Sequence, residues 1–296
     1  MGALFDLIGN TPLIAIERIH TDSKVKIYGK LEGQNPGGSV KDRAAYGMIS
    51  GALQRGEISK GDRLVEATSG NTGIALAMIA NAFGLDMTLI MPENSSIERV
   101  QSMRAYGAKV ILTPSEGTIE LSRTEAERMV SEEGYFMLNQ FANDDNWGMH
   151  YKTTGPEIWK DTDGEVTHFV SAMGTTGTIM GVSRYLKEQN SAVQIIGTQP
   201  KEGSSIPGIR RWSPEFLPKI FDRTRVDRTL EVSEDEARYR ARQLAQEEAI
   251  MSGMSSGGAL HAALHLASEL EAGTIVFIVC DRGDRYLSTG LFDGIA

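Results

Sequence analysis

A lysine serves as a nucleophile or base only where its amine is kept from holding its proton too tightly, and one lysine of this chain stands in such a setting. Lys41 follows Gly37, Gly38, Ser39 and Val40 in the stretch NPGGSVKDR (35–43), a flexible turn running into a helix that begins near Asp42. For any single lysine a solvated surface position is the ordinary reading. A helix N-terminus with partial burial instead lowers the amine pKa, and lysine is the side chain that forms Schiff bases with aldehyde cofactors.

Three further loops rich in Gly, Ser, Thr and Asn carry donors of the kind that hold anions: EATSGNTG (66–73), AMGTTGT (172–178) and GMSSGG (253–258). Gly174, Thr175, Thr176, Gly177 and Thr178 follow a strand and precede a helix, so backbone N–H groups and the positive end of a helix dipole converge, with hydroxyls beside them. A phosphate suits that arrangement. Taken alone, the segment reads equally well as a Gly-rich turn with Thr178 as N-cap, and it contains neither GxGxxG nor the nucleotide P-loop pattern. Thr68, Ser69, Gly70, Asn71, Thr72 and Gly73 end a strand and open the apolar helix IALAMIA, a geometry suited to a carboxylate, or to no more than a capped helix after a tight turn.

The elements around these loops alternate. Strand-like runs at Arg63–Ala67, Met87–Met91 and Val110–Thr113 are followed by helical patterns at Thr72–Ala82, Ile97–Ala105 and Ile119–Ser131. The pattern resumes with a strand at His168–Ser171, a helix at Thr178–Lys187, a strand at Val193–Gly197, helices at Glu234–Glu248 and Ser255–Glu271, and a strand at Thr274–Cys280. Such βα repetition predicts two α/β units with parallel sheets, and in open parallel sheets ligands bind at the carboxyl ends of the strands. Four such loops therefore point to one shared cleft. The polar stretch NQFANDDNWGMHY (139–151) is the candidate boundary, placed near Asp145. The irregular segment Gln199–Pro218, with four of the nine prolines, is long for a connection and is expected to cover a site or to be disordered.

Composition narrows the partners. The 296 residues are 41% apolar and 23% charged, and the net charge of -9 is spread without runs, so no nucleic-acid face is expected. No stretch is apolar and long enough to span a bilayer, the N-terminal sequence has no cationic segment followed by an apolar one, and a cytoplasmic location is expected. The single cysteine, Cys280, allows no intramolecular disulfide and no thiolate metal site; it reads as core or as a small pocket-lining group. His261 and His265 sit four apart in an alanine-rich helix without an HExxH pattern and read as a helix face, so no metal is expected.

In order and spacing, IGNTPL (8–13), KLEGQNPGGSVKDRAA (30–45), EATSGNTGIALA (66–77), the GTTGT loop, SSGGA (255–259) and CDRGDRYLSTG (280–290) resemble the fold-type II pyridoxal-phosphate enzymes, specifically the cysteine synthase family. The resemblance implies two open, twisted, mostly parallel-sheet α/β domains, a smaller one over 35–145 and a larger one over 1–34 plus 146–296, with the active site in the cleft between them. It implies pyridoxal 5'-phosphate bound by Lys41 as a Schiff base, Asn71 at the ring 3' oxygen, Gly174, Thr175, Thr176, Gly177 and Thr178 at the phosphate, and Ser255 at the pyridine nitrogen. Thr68, Ser69, Thr72 and Gln140 would hold the substrate carboxylate. The implied activity is β-replacement on O-acetylserine by sulfide or thiosulfate, through an aminoacrylate, with a homodimer as the working unit. A serine hydroxyl at the ring nitrogen leaves that nitrogen largely unprotonated, which suits elimination of a good β-leaving group and suppresses racemisation.

Two details resemble the B-type branch: GTTGT in place of GTGGT, and GSSIPGIRRW, whose Arg210 and Arg211 could accept a divalent anion such as thiosulfate. RRW reads alternatively as a loop anchor. Asp281, Arg282, Asp284 and Arg285 read either as an ion-pair network or as substrate contacts. Serine or threonine dehydratases and cystathionine β-synthase share the lysine and glycine loops and form the nearest catalytic alternative; a ligand-binding relative without catalysis is the alternative of another class.

Overall fold

The computed structural model describes residues 3–294 except Ser69. The chain opens with α1 (Ala3–Asp6), β1 (Leu13–Ala15) and β2 (Val25–Leu31), then enters α2 (Lys41–Gln54) through a short 3-10 turn, Glu32–Gln34. A run of alternating elements follows: β3 (Arg63–Ala67), α3 (Asn71–Phe83), β4 (Asp86–Pro92), α4 (Ile97–Ala105), β5 (Lys109–Thr113) and α5 (Thr118–Glu133). Two helices, α6 (Asp144–Lys152) and α7 (Thr154–Asp161), lead to β6 (His168–Ala172), α8 (Gly177–Gln189), β7 (Gln194–Pro200) and β8 (Arg228–Val232). The chain finishes with α9 (Glu234–Glu248), α10 (Met254–Ala267), β9 (Gly273–Val279) and a 3-10 turn, Gly283–Thr289.

Two sheets result. One has the order β3-β4-β5, all parallel; the other has the order β1-β2-β9-β6-β7-β8, parallel except where short β1 runs against β2. Parallel strands need helices on their faces and are buried on both sides, which is why DMTLIMP and GTIVFIV are largely apolar along their length. The small sheet's core gathers Leu64, Ile74, Ile79, Leu89 and Met103; the large sheet's cores gather Ile27, Val170, Phe277 and Leu260 on one side and Phe169, Ile195, Val276 and Ile179 on the other.

The polar stretch 139–151 is not a simple connection: most of it is α6, packed between α2 and α8. Asn143 caps that helix by accepting from the Asp145 N–H at 3.0 Å, and Asp144 and Asp145 favour its positive end. Its pattern reads as loop because the buried side chains are Asn146 and His150 rather than aliphatics.

Beneath α2 lies a buried ionic cluster. Arg43 donates from Nε and Nη2 to Glu32 at 2.8 and 2.7 Å, and from Nη1 and Nη2 to Glu157 at 2.6 and 2.7 Å. Lys30 reaches Glu157 at 3.0 Å, Asp161 at 2.9 Å and the Thr11 carbonyl at 2.6 Å. The cluster ties β2, the turn after it, α2 and α7 into one block directly behind the lysine-bearing loop.

Candidate active site

Lys41 is the first residue of α2, and its loop is stitched to the end of β9: Val40 N–H donates to the Cys280 carbonyl at 2.8 Å, Ser39 bridges to Asp281, and Arg282 N–H donates to the Gly38 carbonyl at 3.3 Å. Gly38 has φ +82°, and a Cβ there would lie 2.4 Å from Arg285 Nη2, so both conformation and space require glycine. Burial pushes the Lys41 amine below its ordinary pKa, against the opposing pull of Cys280, Asp281 and Glu32. A lysine so placed reaches its neutral, nucleophilic form more readily than a surface one.

Asn71 opens α3 and is held from both ends of its amide. Nδ2 donates to Asp281 Oδ2 at 2.6 Å and Oδ1 accepts from Arg285 Nη1 at 2.6 Å. Asp281 also accepts from the Tyr286 hydroxyl at 2.6 Å and from Gly253 N–H at 3.2 Å, while Arg285 donates to the Gly37 carbonyl at 2.8 Å. The interleaved charges of 281–285 are therefore partly a clamp on Asn71, a role invisible where the partners stand 210 and 214 residues apart.

The loop after β6 curls into α8 with Thr176 at φ 71° as the residue before the helix. A β-branched residue in the left-handed region is strained, and Thr176 Oγ1 is buried without a protein partner. Thr178 Oγ1 meets His150 Nε2 at 3.3 Å, and His150 Nδ1 meets Thr154 Oγ1 at 2.8 Å. Burial, then the charges of Arg43 and Lys41, hold the imidazole well below its ordinary pKa and therefore neutral. Ser255 is buried in the first turn of α10, where a Cβ on Gly208 would lie 3.4 Å from its Oγ.

That Gly208 contact shows what the long irregular segment does. It folds back over the phosphate-loop candidates: Arg210 N–H donates to the Met173 carbonyl at 2.9 Å, and Trp212 Nε1 donates to the Gly174 carbonyl at 2.8 Å. The arginine pair is split by this geometry. Arg210 lies over the Trp212 ring at 5.6 Å, whereas Arg211 turns to Glu231 on β8 at 2.6 Å, an exposed ion pair away from its neighbour.

From the small-sheet side come Thr68 and Thr72, both buried, with Thr72 Oγ1 donating to Gln140 Oε1 at 2.8 Å. Ser69 lies outside the described residues. Sequence reasoning missed Glu66 beside them. Its Oε2 accepts the Asn139 N–H at 3.1 Å. Burial raises its pKa to about 7, against the Asn139 N–H, Arg123 and the Gln140 N–H. A carboxyl whose folded pKa is raised gives stability below its unfolded value that is lost as pH climbs through the folded one. Glu66→Gln is therefore expected to match wild type near pH 4.5 and to exceed it at pH 8, by up to roughly 3 kcal/mol; urea unfolding across that range reads the difference.

Cys280 stands at the end of β9, its N–H donating to Ser256 Oγ at 2.9 Å. Burial and Asp281 raise its thiol to about 11, offset in part by Lys41, so it stays protonated at neutral pH and lines the site as a small group. His261 and His265 face different carboxylates, Glu236 at 3.8 Å and Glu269 at 3.2 Å.

A lowered lysine, a helix-N-terminal loop bearing three hydroxyls, one of them orphaned, and a doubly held asparagine together define a site that fits an aldehyde cofactor carrying a phosphate. The description of the family "Pyridoxal-phosphate dependent enzyme" matches residues 4–281. Cysteine synthase B of Pseudomonas aeruginosa is 58% identical over 288 residues, covering 97% of this chain and 96% of that one; cysteine synthase B of Escherichia coli is 54% identical over 292 residues, covering 99% and 96%. The crystal structure of cysteine synthase (OASS) from Entamoeba histolytica superposes with a TM-score of 0.93 at 38% identity, covering 99% of this chain and 90% of that one. The chain belongs to the pyridoxal-phosphate dependent enzymes, and within them to the cysteine synthases.

Proposed function

We propose that this enzyme exchanges the acetate of O-acetylserine for sulfide or thiosulfate, giving L-cysteine or S-sulfocysteine, and that it works as a cytoplasmic homodimer. The observation that supports the reading is Lys41, its amine lowered by burial beside Cys280 and Asp281, with Asp281 in turn holding Asn71. Lys41 would hold the cofactor, Asn71 its 3' oxygen, Gly174, Thr175, Thr176, Gly177 and Thr178 its phosphate, and Ser255 its ring nitrogen. Pyridoxal phosphate, when bound, supplies the electron sink that makes the α-proton acidic.

The rest falls to the chain's own groups. Thr68, Ser69, Thr72 and Gln140 bind the substrate carboxylate; the freed Lys41 amine takes the Cα proton as acetate leaves Cβ, and returns it after sulfur adds to Cβ. Closure of residues 35–145 against the rest of the chain would exclude water. Arg210 and Arg211 at the mouth are the thiosulfate candidates. Because Arg211 is already paired with Glu231, Arg210→Ala is expected to raise the KM for thiosulfate about tenfold with a smaller change for sulfide, and Arg211→Ala to do less; steady-state rates with both donors test it.

An absorption spectrum of the purified protein, before and after O-acetylserine and then with thiosulfate or sulfide, tests the whole reading. A visible band that changes with the first and recovers with the second is expected, with product identified by chromatography. Absence of a band after incubation with pyridoxal phosphate would sink it.

A further inference from the structure

One buried amide touches both the Gln140 segment beside the smaller sheet and the 174–178 loop of the larger one. Asn146, 2% exposed, stands in the first turn of α6, the helix wedged between α2 and α8. Its Nδ2 donates to the Gln140 carbonyl at 2.8 Å and to Thr175 Oγ1 at 3.3 Å. Its Oδ1 packs on Gly177, where an added Cβ would sit 2.0 Å away, so any side chain at 177 would drive the amide off its place.

The hydrogen-bond capacities give this contact a direction. Thr175 Oγ1 accepts from Asn146 and, at 3.4 Å, from the Gly177 N–H. With two donors pointed at its lone pairs, the hydroxyl has its proton left to give, which is what a phosphate oxygen needs. At the other end Gln140 is fixed through its backbone: Asn146 holds its carbonyl, and the preceding residue, Asn139, is in the left-handed region at φ 54° with its N–H on Glu66. Its side-chain oxygen is taken by Thr72, so both amide protons of Gln140 remain available to a carboxylate.

We propose that Asn146 is a positioning residue that couples the two grips: it orients Thr175 toward the cofactor phosphate and Gln140 toward the substrate carboxylate, so that loss of this one amide weakens both. This rests on the assignment of Gln140 and the 174–178 loop given above. Coupling through a shared rigid donor is a physical link, testable as such, because the two ligands bind on different loops.

The test uses Asn146→Ala and the isosteric Asn146→Asp, which keeps shape but cannot donate. Three quantities are read: pyridoxal phosphate affinity by titration of the cofactor-free protein, L-serine affinity of the loaded enzyme by spectral titration, and the urea midpoint. Both affinities are expected to fall about tenfold in both variants, while kcat at saturating substrate stays within about threefold. Asn146→Ser, which restores one donor, is expected to recover part of the loss, and it serves as the reading variant should the alanine form not fold. Wild-type affinities in Asn146→Asp, or a loss confined to one ligand, would overturn the proposal. Gln140→Ala separates it from the reading beneath it: unchanged L-serine affinity in that variant would remove Gln140 from the carboxylate site whatever Asn146 does.

Discussion

Lys41→Ala is expected to lower kcat by at least about 10³-fold, the largest single effect in the molecule, because in the proposed function one amine would both carry the cofactor and move the Cα proton. The structure explains why no neighbour can substitute. Arg43 points to Glu32 and Glu157, His150 is held neutral between Thr154 and Thr178, and the Cys280 thiol is protonated at neutral pH. The cofactor should still bind without its covalent link, because the 174–178 loop proposed to hold its phosphate and the Asn71 clamp are untouched. Borohydride reduction followed by mass analysis checks both halves: the wild-type chain should be trapped with the cofactor at Lys41, and the variant should release it on denaturation. Retained steady-state turnover in the variant would remove the lysine from its role.

The second large effect concerns folding. Arg43 and Glu32 are both wholly buried; Glu157 completes the hydrogen bonds of Arg43, Thr11 and Asn35 those of Glu32, and Lys30 pairs with Glu157 in turn. Breaking such a pair by deleting one partner leaves a charge stranded, and Arg43→Ala is expected to cost roughly 3–5 kcal/mol in urea unfolding at neutral pH. Replacing Arg43 and Glu32 together by methionine should cost less than the single change, since no lone charge remains at that pair. Burial pushes the Glu32 carboxyl up, but Arg43, Thr11 and Lys30 outweigh it and the net direction is downward. The contribution of Glu32 is thus present above the ordinary carboxylate range and lost as pH falls through its lower folded value, so the gap between wild type and variant should narrow in acid.

These two cases mark what could be read from the sequence. Lys41 and the glycine-rich loops were legible because turn chemistry and helix entry are local, and the strand at 273–279 was legible because burial on both faces leaves the run TIVFIV almost wholly apolar. Strand β2, VKIYGKL, was not: Lys26 is exposed and Lys30 is buried in the ionic cluster, so two lysines interrupt a strand that pairs along its whole length with β9. Strand β8, RTLEV, is an edge strand with only its last residue buried. Helix α6 was hidden for the opposite reason, its buried face being made of an asparagine and a histidine that bond Thr175 and Thr178. The Asn71 clamp and the Asn146 bridge could not be seen at all, since each depends on partners brought together only by the finished fold.

The order of strands in the larger sheet also bears on how the chain is made. Strand β9 lies between β2 and β6, so the last of the described strands is inserted at the centre of its sheet, next to one of the first. Strands β3, β4 and β5 are contiguous in sequence and can pair as they leave the ribosome, whereas β2, beyond its short pairing with β1, must wait for β9 to complete its ladder. The Cys280 and Asp281 contacts that fix Lys41 and Asn71 arrive with β9. A nascent chain can therefore carry a formed β3-β4-β5 sheet beside an incomplete larger sheet until β9 has emerged.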